Sequence, residues 1–587
     1  MPNSQLSLLL QPIKKNHKRT LTFGISLLLL GTLCEVAGPY IIKHYIDQIL
    51  IIDDKNFSPI WYMVMAYIFV TVSAAFFRYG QGLAFANIAL HAIADIRLNV
   101  FNHVINLPSA WHDQAISGQT LSRITNDTES LKELYVDFLA TFIGNLVLIM
   151  GILIGMALLD FKLMLIALAM IPIVITMVLF YQKISGPAVN QVRAKRAEQN
   201  VHISEAINGM SVLQSMNQTQ RYSHQFAQVN DEQYVARMKQ VKASGLFLRP
   251  AMDFISTVIL AGVILVFGHQ VLDGSAEIGT LYGFILYLGR FTEPLIEITQ
   301  RFSIFQSAMV AGKRIQDLLD QEKVQTVTHV SNLESADIQV QDLTFSYDGQ
   351  TSVLSNINID IPHGKFIALV GRTGSGKSTL LNLLLGHYHA DASSILIDGK
   401  ELASVSEKVR SKMIGLVPQE PFIKAGTIRE NIIMDRDIQE NDLLLSIQVA
   451  QLNSLLNRLP NGLDTALGEG GKNLSSGQKQ LIALARALAT KPKILILDEA
   501  TSSLDSETES LIQRSLNELK GSVTLIVVAH RLSTVRHSDE ILALNHGQII
   551  ERGTHSVLMN NNGYYAKLNR FEQQEDAITG IEHLLTS

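Results

Sequence analysis

The sequence predicts a multidomain protein: an all-α membrane domain with six transmembrane helices and long cytoplasmic helical extensions, followed by an α/β nucleotide-binding domain of the phosphate-loop type. The chain has 587 residues, a length that by itself favours several domains. It is 47% hydrophobic and 17% charged, and its long apolar stretches all lie before residue 300. The second part instead carries short polar motifs at the ends of apolar runs. The first part is therefore predicted to lie in the lipid bilayer, and the second part is predicted to be a water-exposed domain that carries the functional motifs.

Four uncharged stretches are long enough to cross about 30 Å of hydrocarbon, which takes about 20 helical residues. They are residues 60–77, 138–159, 163–182 and 254–272. Two further stretches carry charges: residues 20–42 contain Glu35, and residues 278–298 contain Arg290, Glu293 and Glu297. Composition alone leaves open whether these two also span.

The basic residues decide between four and six spans. The N-terminus carries Lys14, Lys15, Lys18 and Arg19, and it shares the cytoplasmic side with the phosphate-loop domain, so the number of spans is even. Six spans place residues 183–253, with nine Lys and Arg residues, inside, and residues 273–277, with none, outside. The positive-inside rule therefore selects six. We place the membrane domain at residues 1–320, with spans at about 20–45, 59–85, 137–159, 163–183, 253–273 and 278–300.

The remaining segments complete the predicted organisation. Residues 91–136 and 183–253 are too long for simple turns and are expected to form helical extensions in the cytoplasm. A polar stretch at 321–335 is the predicted linker, followed by the nucleotide-binding domain at 336–575 and a tail at 576–587. No small-residue cleavage site follows the N-terminus, so no signal peptide is expected. The single cysteine excludes an internal disulfide, and the net charge of −5 gives no indication of nucleic acid binding.

A phosphate-binding loop is the strongest motif in the second part. Residues 371–379 match the pattern G-x-x-x-x-G-K-[ST], in which glycines let backbone N–H groups surround phosphate oxygens. Lys377 would add a charge at the β- and γ-phosphates, and Ser378 would offer a hydroxyl to Mg²⁺. An apolar strand at 366–370 and a helix at 380–385 supply the context that this motif requires. The predicted nucleotide ligands here are Gly371, Arg372, Thr373, Gly374, Ser375, Gly376, Lys377, Ser378 and Thr379.

An acidic pair follows a second apolar strand. Residues 494–497 form a continuous apolar run, typical of a parallel strand buried on both faces, and Asp498 and Glu499 come directly after it. The carboxyl ends of such strands form the ligand crevice of an open α/β sheet. Asp498 is expected to hold Mg²⁺, and Glu499 to polarise the attacking water as a base or positioner. The alternative, a pair that only caps the next helix, does not account for the phosphate loop upstream.

The segment Leu474-Ser-Ser-Gly-Gln478 resembles the signature of ATP-binding-cassette (ABC) proteins, and it precedes Asp498 at the usual distance. In that family the signature of one cassette covers the γ-phosphate held by another, so the resemblance implies nucleotide contacts from Ser475, Ser476, Gly477 and Gln478. The physical basis is the start of a helix at this point, whose N–H groups favour an anion. Ser476 stands where glycine is more usual, a change expected to be tolerated. A simple helix N-cap would explain the serines alone.

The same resemblance implies roles for four more residues. Gln419 would touch Mg²⁺ and sense the membrane domain, Asp505 would close a loop at the cassette dimer interface, and His530 would contact the γ-phosphate. Tyr347 would stack on adenine, a contact worth about 1–3 kcal/mol by analogy with base stacking, although an ordinary strand tyrosine remains the alternative. The catalytic set is then Glu499, His530 and Gln419, and the metal set is Ser378, Gln419 and Asp498.

The first part resembles the exporter side of this family. Six spans lead directly into one cassette, and residues 118–127 and 205–210 look like the segments that couple exporter membrane domains to their cassettes. The resemblance covers nearly the whole chain. It is strongest to the bacterial multidrug-resistance-like half-transporters of the Mdl type, B subunit, notably at 248–250 and 286–297.

This resemblance implies ATP-driven export of hydrophobic or amphipathic small molecules across the bacterial inner membrane, with ATP and Mg²⁺ as cofactors. The partner would be a second half-transporter, a heterodimer being favoured over a homodimer, and the ATPase domain and N-terminus would be cytoplasmic. A lipid or lipid-precursor flippase is the alternative with the same architecture. A non-hydrolysing subunit would be expected to lack Glu499, and an importer would keep its two parts on separate chains.

The charged residues within predicted spans have two explanations. Arg290, Glu293 and Glu297 lie at i, i+3 and i+7 and share one helix face, while Glu35 and Arg78 lie in or beside other spans. Ionisable groups within a membrane are expensive and often mark a substrate pathway. Pairing between helices, or snorkelling of the arginines to an interface, is the alternative. The sequence leaves both open.

Overall fold

The computed structural model of the chain describes residues 18–47, 57–247, 249–272, 277–322, 333–389, 394–498, 506–529 and 535–571. The chain divides into two compact units. The first comprises Met1–Leu107 and Ala115–Glu322, and the second comprises Pro108–Gln114 and Lys323–Ser587. The division at residue 322 falls inside the predicted linker. The transfer of Pro108–Gln114 to the second unit was not expected from the sequence.

The described residues of the first unit form helices joined by short turns, with no β-strand among them. Its helices are Lys18–Tyr45, Phe57–Val104, Ser117–Ser122, Thr128–Glu133, Ala140–Leu159, Phe161–Leu168, Met170–Asn208, Met210–Ser215, Thr219–Phe247, Arg249–Leu272 and Ile278–Leu319, with π-helical turns at Arg123–Asp127 and Leu134–Leu139. Helices of 39 and 29 residues, Met170–Asn208 and Thr219–Phe247, pair as the second predicted cytoplasmic extension.

Five segments among the described residues are long and apolar enough to cross a membrane: Lys18–Tyr45, Ile60–Val104, Ser117–Leu159, Phe161–Asn208 and Thr219–Leu272. The sixth predicted span lies in Ile278–Leu319, whose charged residues separate its composition from the other five. Only 6–33% of each apolar window is buried within the chain. The remaining apolar surface suits lipid or another membrane helix, since water would make its exposure costly. The count of six stays a prediction.

The helices Lys18–Tyr45 and Ile278–Leu319, the first and last predicted spans, are joined at a backbone defect. Pro39 lies inside Lys18–Tyr45 and has no N–H to donate to the carbonyl oxygen of Glu35, four residues earlier. Arg290 Nη1 donates to that oxygen at 2.6 Å, and Tyr287 Oη donates to the next carbonyl, of Val36, at 2.5 Å. Hydrocarbon offers no substitute partner for a free carbonyl. The last helix therefore satisfies a carbonyl that the proline leaves without its helical donor.

Close approach of the helices at this point requires glycine. A Cβ atom on Gly155 would lie 2.7 Å from Tyr287 Oη, and one on Gly151 would lie 2.9 Å from the Thr32 methyl carbon. Tyr287 itself is fully buried. Small residues that let helix backbones approach are the usual packing device inside membranes. The Tyr287 hydrogen bond thus depends on the absence of a side chain on the neighbouring helix.

The second unit contains the predicted α/β domain. Its strands are β1 (Ile338–Phe345), β2 (Leu354–Ile361), β3 (Phe366–Val370), β4 (Ile395–Ile397), β5 (Lys400–Glu401), β6 (Ile414–Val417), β7 (Gly426–Thr427), β8 (Ala466–Leu467), β9 (Ile494–Asp498), β10 (Thr524–Val528), β11 (Glu540–Asn545) and β12 (Gln548–Gly553). Its helices are Ser109–Gln114, Lys377–Leu384, Glu407–Met413, Ile428–Ile433, Glu440–Val449, Asn453–Leu456, Ser476–Leu488, Ser506–Leu519 and His555–Asn560.

The main sheet has six strands in the order β12-β11-β3-β10-β9-β6, and the five strands from β11 to β6 are parallel. Every residue of β3 and β10 is buried, which explains their continuous apolar sequences. A second sheet, β2-β1-β4-β5, is antiparallel. The predicted fold class, a helical membrane domain followed by an α/β cassette, is confirmed.

We expect Arg290→Leu to lower the thermal unfolding midpoint of the protein in detergent, because it leaves the Glu35 carbonyl without a donor. The cost should be about 1–3 kcal/mol, the penalty for an unsatisfied buried polar group. Pro39→Ala should recover part of it by returning an N–H at position 39. Arg249→Leu, which replaces a largely exposed arginine, is the matched control. Failure of Pro39→Ala to lessen the Arg290→Leu defect would contradict the assignment.

Candidate nucleotide site

The predicted site residues leave the main sheet at one edge. In the parallel register, Val528 of β10 lies beside both Leu369 of β3 and Asp498 of β9, and Leu497 lies beside Val417 of β6. The carboxyl ends of these strands are therefore level. The phosphate loop follows β3 and Gln419 follows β6, while Asp498 is the last residue of β9. The phosphate loop and Asp498, more than a hundred residues apart in the chain, thus meet at a single crevice with Gln419.

The phosphate loop is closed by its own lysine. The helix after the loop begins at Lys377, earlier than the sequence analysis expected. Lys377 Nζ donates to the carbonyl oxygens of Gly371 at 2.6 Å and Arg372 at 3.2 Å. The side chain is buried, whereas Ser378 is exposed. The ammonium group is therefore held over the mouth of the loop, where the γ-phosphate of a nucleotide would require it.

Two glycines of this loop have no room for a side chain. A Cβ on Gly371 would lie 2.3 Å from the carbonyl oxygen of Leu544, and one on Gly376, at φ +102°, would lie 2.6 Å from Leu354 Cδ2. The Ser375 hydroxyl is buried and has no hydrogen-bond partner among the described residues. A cradle of backbone N–H groups with an unsatisfied hydroxyl fits the phosphates of ATP.

Tyr347 lies just beyond β1 at the opening of the loop. Its side chain is 44% exposed, and its hydroxyl donates to Thr379 Oγ1 at 3.1 Å. Asp348 fixes the turn behind it by accepting the backbone N–H groups of Gln350 and Thr351. These bonds lower the pKa of Asp348 to about 2, so the turn stays intact throughout the neutral range. Tyr347 therefore presents an accessible ring on a fixed backbone.

The signature segment begins a helix, Ser476–Leu488. The Ser475 hydroxyl accepts the Gln478 N–H at 3.2 Å, and Gln478 Oε1 accepts the Ser475 N–H at 3.1 Å, which makes a capping box. Both side chains are thus used locally, and the N–H groups of Ser476 and Gly477 stand in the first turn. A Cβ on Gly477 would lie 2.6 Å from Thr508 Oγ1, so this position admits only glycine.

Gln480, which was not predicted as a site residue, connects the signature helix to the segment that contains Gln419. Gln480 is 3% exposed and its Nε2 donates to the backbone oxygens of Gln419 at 2.8 Å and Pro418 at 3.2 Å. The signature helix thereby holds the backbone at Gln419. A polar residue on the apolar face of a strongly amphipathic helix was the only sequence signal for it.

The described residues include part of the predicted catalytic and metal sets. Glu499, Asp505 and His530 lie outside them. Glu499 follows β9 in the chain, and His530 comes two residues after β10. No group of three or more His, Cys, Asp or Glu residues suited to a metal was found in the described part of the chain. Mg²⁺ does not need such a group, because it takes one or two carboxylates together with substrate phosphate oxygens.

Two family descriptions match the chain: "ABC transporter transmembrane region" at residues 21–295 and "ABC transporter" at residues 354–502. Together with the phosphate loop and the sheet edge, they define an ATP-hydrolysing membrane transporter. The chain belongs to the ABC transporter family, with one membrane region and one cassette on a single polypeptide. The resemblance seen in the sequence is thus confirmed, as are ATP binding and the dimeric architecture that such a half-transporter implies.

Particular relatives match over nearly the whole length. The chain is 40% identical to the multidrug resistance-like ATP-binding protein MdlB of Buchnera aphidicola subsp. Schizaphis graminum, over 94% of this chain and 96% of that protein. It is 33% identical to a fatty acid ABC transporter ATP-binding/permease protein of Mycobacterium bovis, over 81% and 75%. A bacterial Atm1-family ABC exporter solved with ATP bound has a TM-score of 0.78 at 24% identity, over 95% of this chain and 98% of that one, and so shares the fold.

We expect Gln480→Leu to slow ATP turnover on the order of 10- to 100-fold, the cost of misplacing a positioned group by about 1 Å. ATP affinity should change little, because the lost hydrogen bonds hold the Gln419 backbone and do not reach the phosphate loop. Gln513→Leu, which removes a hydrogen bond to Glu509 elsewhere in the cassette, is the control. Turnover at the parent rate in a well-folded Gln480→Leu protein would show that the anchor is dispensable.

Proposed function

We propose that the protein exports hydrophobic or amphipathic small molecules across the bacterial inner membrane, with its cassette in the cytoplasm. The observation that supports this most is the fusion of an exporter-type membrane region to one cassette, in a chain 40% identical to a multidrug resistance-like protein. A lipid flippase is the second candidate, and the fatty acid transporter among the relatives favours it. The two functions use the same ATP cycle and differ in cargo.

In the proposed cycle Lys377 holds the terminal phosphate, and Ser378, Asp498 and Gln419 supply oxygen ligands for Mg²⁺. Those oxygens are the donors that Mg²⁺ prefers. Glu499 polarises the attacking water, and His530 stabilises the charge that develops on the γ-phosphate. Tyr347 stacks on the adenine. Each role follows from the resemblance, and for Lys377, Gln419 and Asp498 it is supported by the position of these residues at or just after the ends of β3, β6 and β9.

The partner is proposed to be a related half-transporter in a heterodimer. The first-turn N–H groups of Ser476 and Gly477 would cover the phosphates held by the partner cassette, while the phosphate loop of this chain would be covered in return. One chain then carries halves of two ATP sites, and neither site is complete without the second chain. The similarity to MdlB proteins, on the B side of the Mdl type, favours a non-identical partner.

The variant Glu499→Gln tests whether Glu499 is needed for ATP hydrolysis. Measured with a panel of compounds, it also tests which cargo stimulates that hydrolysis. General-base contributions are typically 10²–10⁴-fold, so ATP turnover should fall by that order while ATP binding persists. A panel of amphipathic dyes, drugs and lipids should stimulate the parent complex and leave the variant unaffected. Stimulation by lipids alone would favour the flippase. Parent-rate hydrolysis by the variant, in a complex whose partner site is disabled, would remove Glu499 from the mechanism.

The oligomeric state is tested by measuring the native mass of this chain purified alone, using the Glu499→Gln protein with ATP added. A stable species of twice the chain mass would show that the protein forms a homodimer and would contradict the proposed heterodimer. A monomer that forms a closed complex only with a co-expressed half-transporter is the expected result.

The coupling of ATP to cargo is proposed to pass through the helix Ser109–Gln114. Residues 118–127 and 205–210, which the sequence predicts as coupling segments, lie in the first unit, and Pro108–Gln114 belongs to the cassette unit. Tyr388 Oη donates to Asp113 Oδ2 at 3.0 Å. Burial, with the Asp113 hydrogen bond, raises the pKa of Tyr388 to about 12 and keeps the donor protonated.

Tyr388 also contacts the nucleotide site. Its ring lies edge-to-face against Tyr347, with centroids 5.0 Å apart, and both rings pack against Phe345. Adenine stacked on Tyr347 would therefore rest on the same aromatic cluster that holds Asp113. Coupling requires a packed contact whose arrangement changes when ATP binds, because ATP shifts a conformational equilibrium only through differential interactions. We propose that the contact between Tyr388 and Asp113 changes in this way.

We expect Tyr388→Phe and Asp113→Ala each to abolish cargo-stimulated ATPase activity and transport while basal hydrolysis is largely retained. The double variant should be no worse than either single one, because both remove the same hydrogen bond. Tyr564→Phe, which removes a hydroxyl with no hydrogen-bond partner among the described residues, is the matched control. A stable Tyr388→Phe protein with normal stimulation would defeat this assignment, and joint loss of expression and all activity would indicate a purely structural role.

A further inference from the structure

A cavity of about 550 Å³ lies among the membrane helices of the first unit. Four helices line it: Lys18–Tyr45, Phe57–Val104, Ala140–Leu159 and Ile278–Leu319. This volume is within the range of small-molecule sites, about 300–1,000 Å³. Its wall is apolar along Ala74, Ala75 and Leu148, among others, and it also contains five ionisable side chains: Glu35, Arg78, Arg290, Glu293 and Glu297.

Both arginines of the cavity are engaged by the first membrane helix. Arg78 forms an ion pair with the Glu35 carboxylate, with Nη2 and Oε2 2.5 Å apart. Arg290 donates to the Glu35 backbone oxygen, as described above, and so replaces the bond that Pro39 cannot make. Each guanidinium thus already has an oxygen acceptor on the first helix. An anionic ligand could use only the N–H groups that these bonds leave over.

The two acids of the helix Ile278–Leu319 that line the cavity, Glu293 and Glu297, differ from each other in exposure and in hydrogen-bond partners. Glu293 is 57% exposed and its carboxylate lies 3.8 Å from Arg249. Glu297 is half-buried and accepts a hydrogen bond from Asn145 Nδ2 at 2.9 Å. No cationic side chain of the described residues lies within 4.0 Å of Glu297. With three acids and two bases, the cavity carries one more negative than positive charge when all five groups are ionised.

A second cavity, of about 280 Å³, shares Arg78, Asn145 and Glu297 with the first. Glu297 therefore stands where the two spaces meet, oriented by the Asn145 amide. A carboxylate inside a membrane is costly unless a positive charge or hydrogen-bond donors accompany it. A ligand that brought its own positive charge would supply the missing partner.

We propose that Glu297, positioned by Asn145, recognises the positive charge of an amphipathic cation whose apolar body lies against the Ala74, Ala75 and Leu148 wall. The inference rests on the proposed export function and names its preferred cargo class. It also resolves the two explanations that the sequence left open. Glu35, Arg78 and Arg290 serve helix pairing, and Glu297 serves the ligand.

Three probes of nearly the same shape test the charge preference: tetraphenylphosphonium, tetraphenylborate and the neutral triphenylphosphine oxide. Binding to the purified full transporter in detergent would be measured by equilibrium dialysis, which avoids differences in bilayer partition. The parent should bind the cation most tightly. Glu297→Gln keeps the shape and the Asn145 contact but removes the charge, so cation affinity should fall by at least about tenfold, as expected for a partly screened ion pair. Binding of the neutral probe should not change.

Asp317→Asn is the matched control, since its exposed carboxylate lies on the same helix, Ile278–Leu319, but does not line the cavity. It should leave the ratio of cation to neutral affinity as in the parent. Glu297→Asp, which keeps the charge, should retain most of the preference and shows that the Glu297→Gln effect is not a folding defect.

Undiminished cation binding by Glu297→Gln, or tighter binding of tetraphenylborate than of tetraphenylphosphonium by the parent, would overturn the proposal while leaving small-molecule export intact. A parent complex that binds none of the three probes and is stimulated only by lipids would overturn both the export function and this proposal. The two failures are therefore distinguishable.

Discussion

The structure of the cassette depends on one constraint, the parallel register of three buried strands. β3, β10 and β9 are apolar on both faces, and a slip of one residue in a parallel sheet would move every polar strand end away from its neighbour. Because Val528 lies level with Leu369 and Asp498, the phosphate loop and the acidic strand end open into the same space. The hydrophobic core thus sets the distances on which phosphate chemistry relies.

A different constraint governs the membrane unit, where each backbone carbonyl needs a donor from within the protein. Pro39 breaks the hydrogen-bond ladder of the first helix, and Arg290 and Tyr287 of the last helix supply donors at that point. Arg290, a charge that is costly to place within a membrane, here contributes to the packing of the two helices. Glu297 of the same helix accepts a hydrogen bond from the Asn145 amide and has no cationic side chain of the described residues within 4.0 Å.

The sequence predicted those features that are local or motif-like. The phosphate loop, its flanking strand and helix, the acidic strand end and the start of the signature helix could be read from spacing and apolar runs. Gln480 could not, because its function depends on a loop more than sixty residues away that only the folded chain brings to it. The contact between Asp113 and Tyr388 was not predicted, since helical periodicity gives no information on which turn meets another domain. The coupling roles expected for residues 118–127 and 205–210 stay predictions. The sequence also offered no way to separate pairing charges from ligand charges, as it does not show that Pro39 needs Arg290.

The membership of Pro108–Gln114 in the cassette unit bears on how the protein is made. This short helix leaves the ribosome more than two hundred residues before the first strand of the cassette. At translation rates of about 5–20 residues per second, it waits on the order of tens of seconds for Tyr388 and its aromatic neighbours. During that interval Asp113 lacks the hydroxyl donor of Tyr388. Conversely, a cassette produced as a separate fragment would leave the Tyr388 hydroxyl without this acceptor. Biogenesis therefore favours a nascent chain whose membrane helices are inserted early, so that the waiting segment is tethered near the surface on which the cassette will fold.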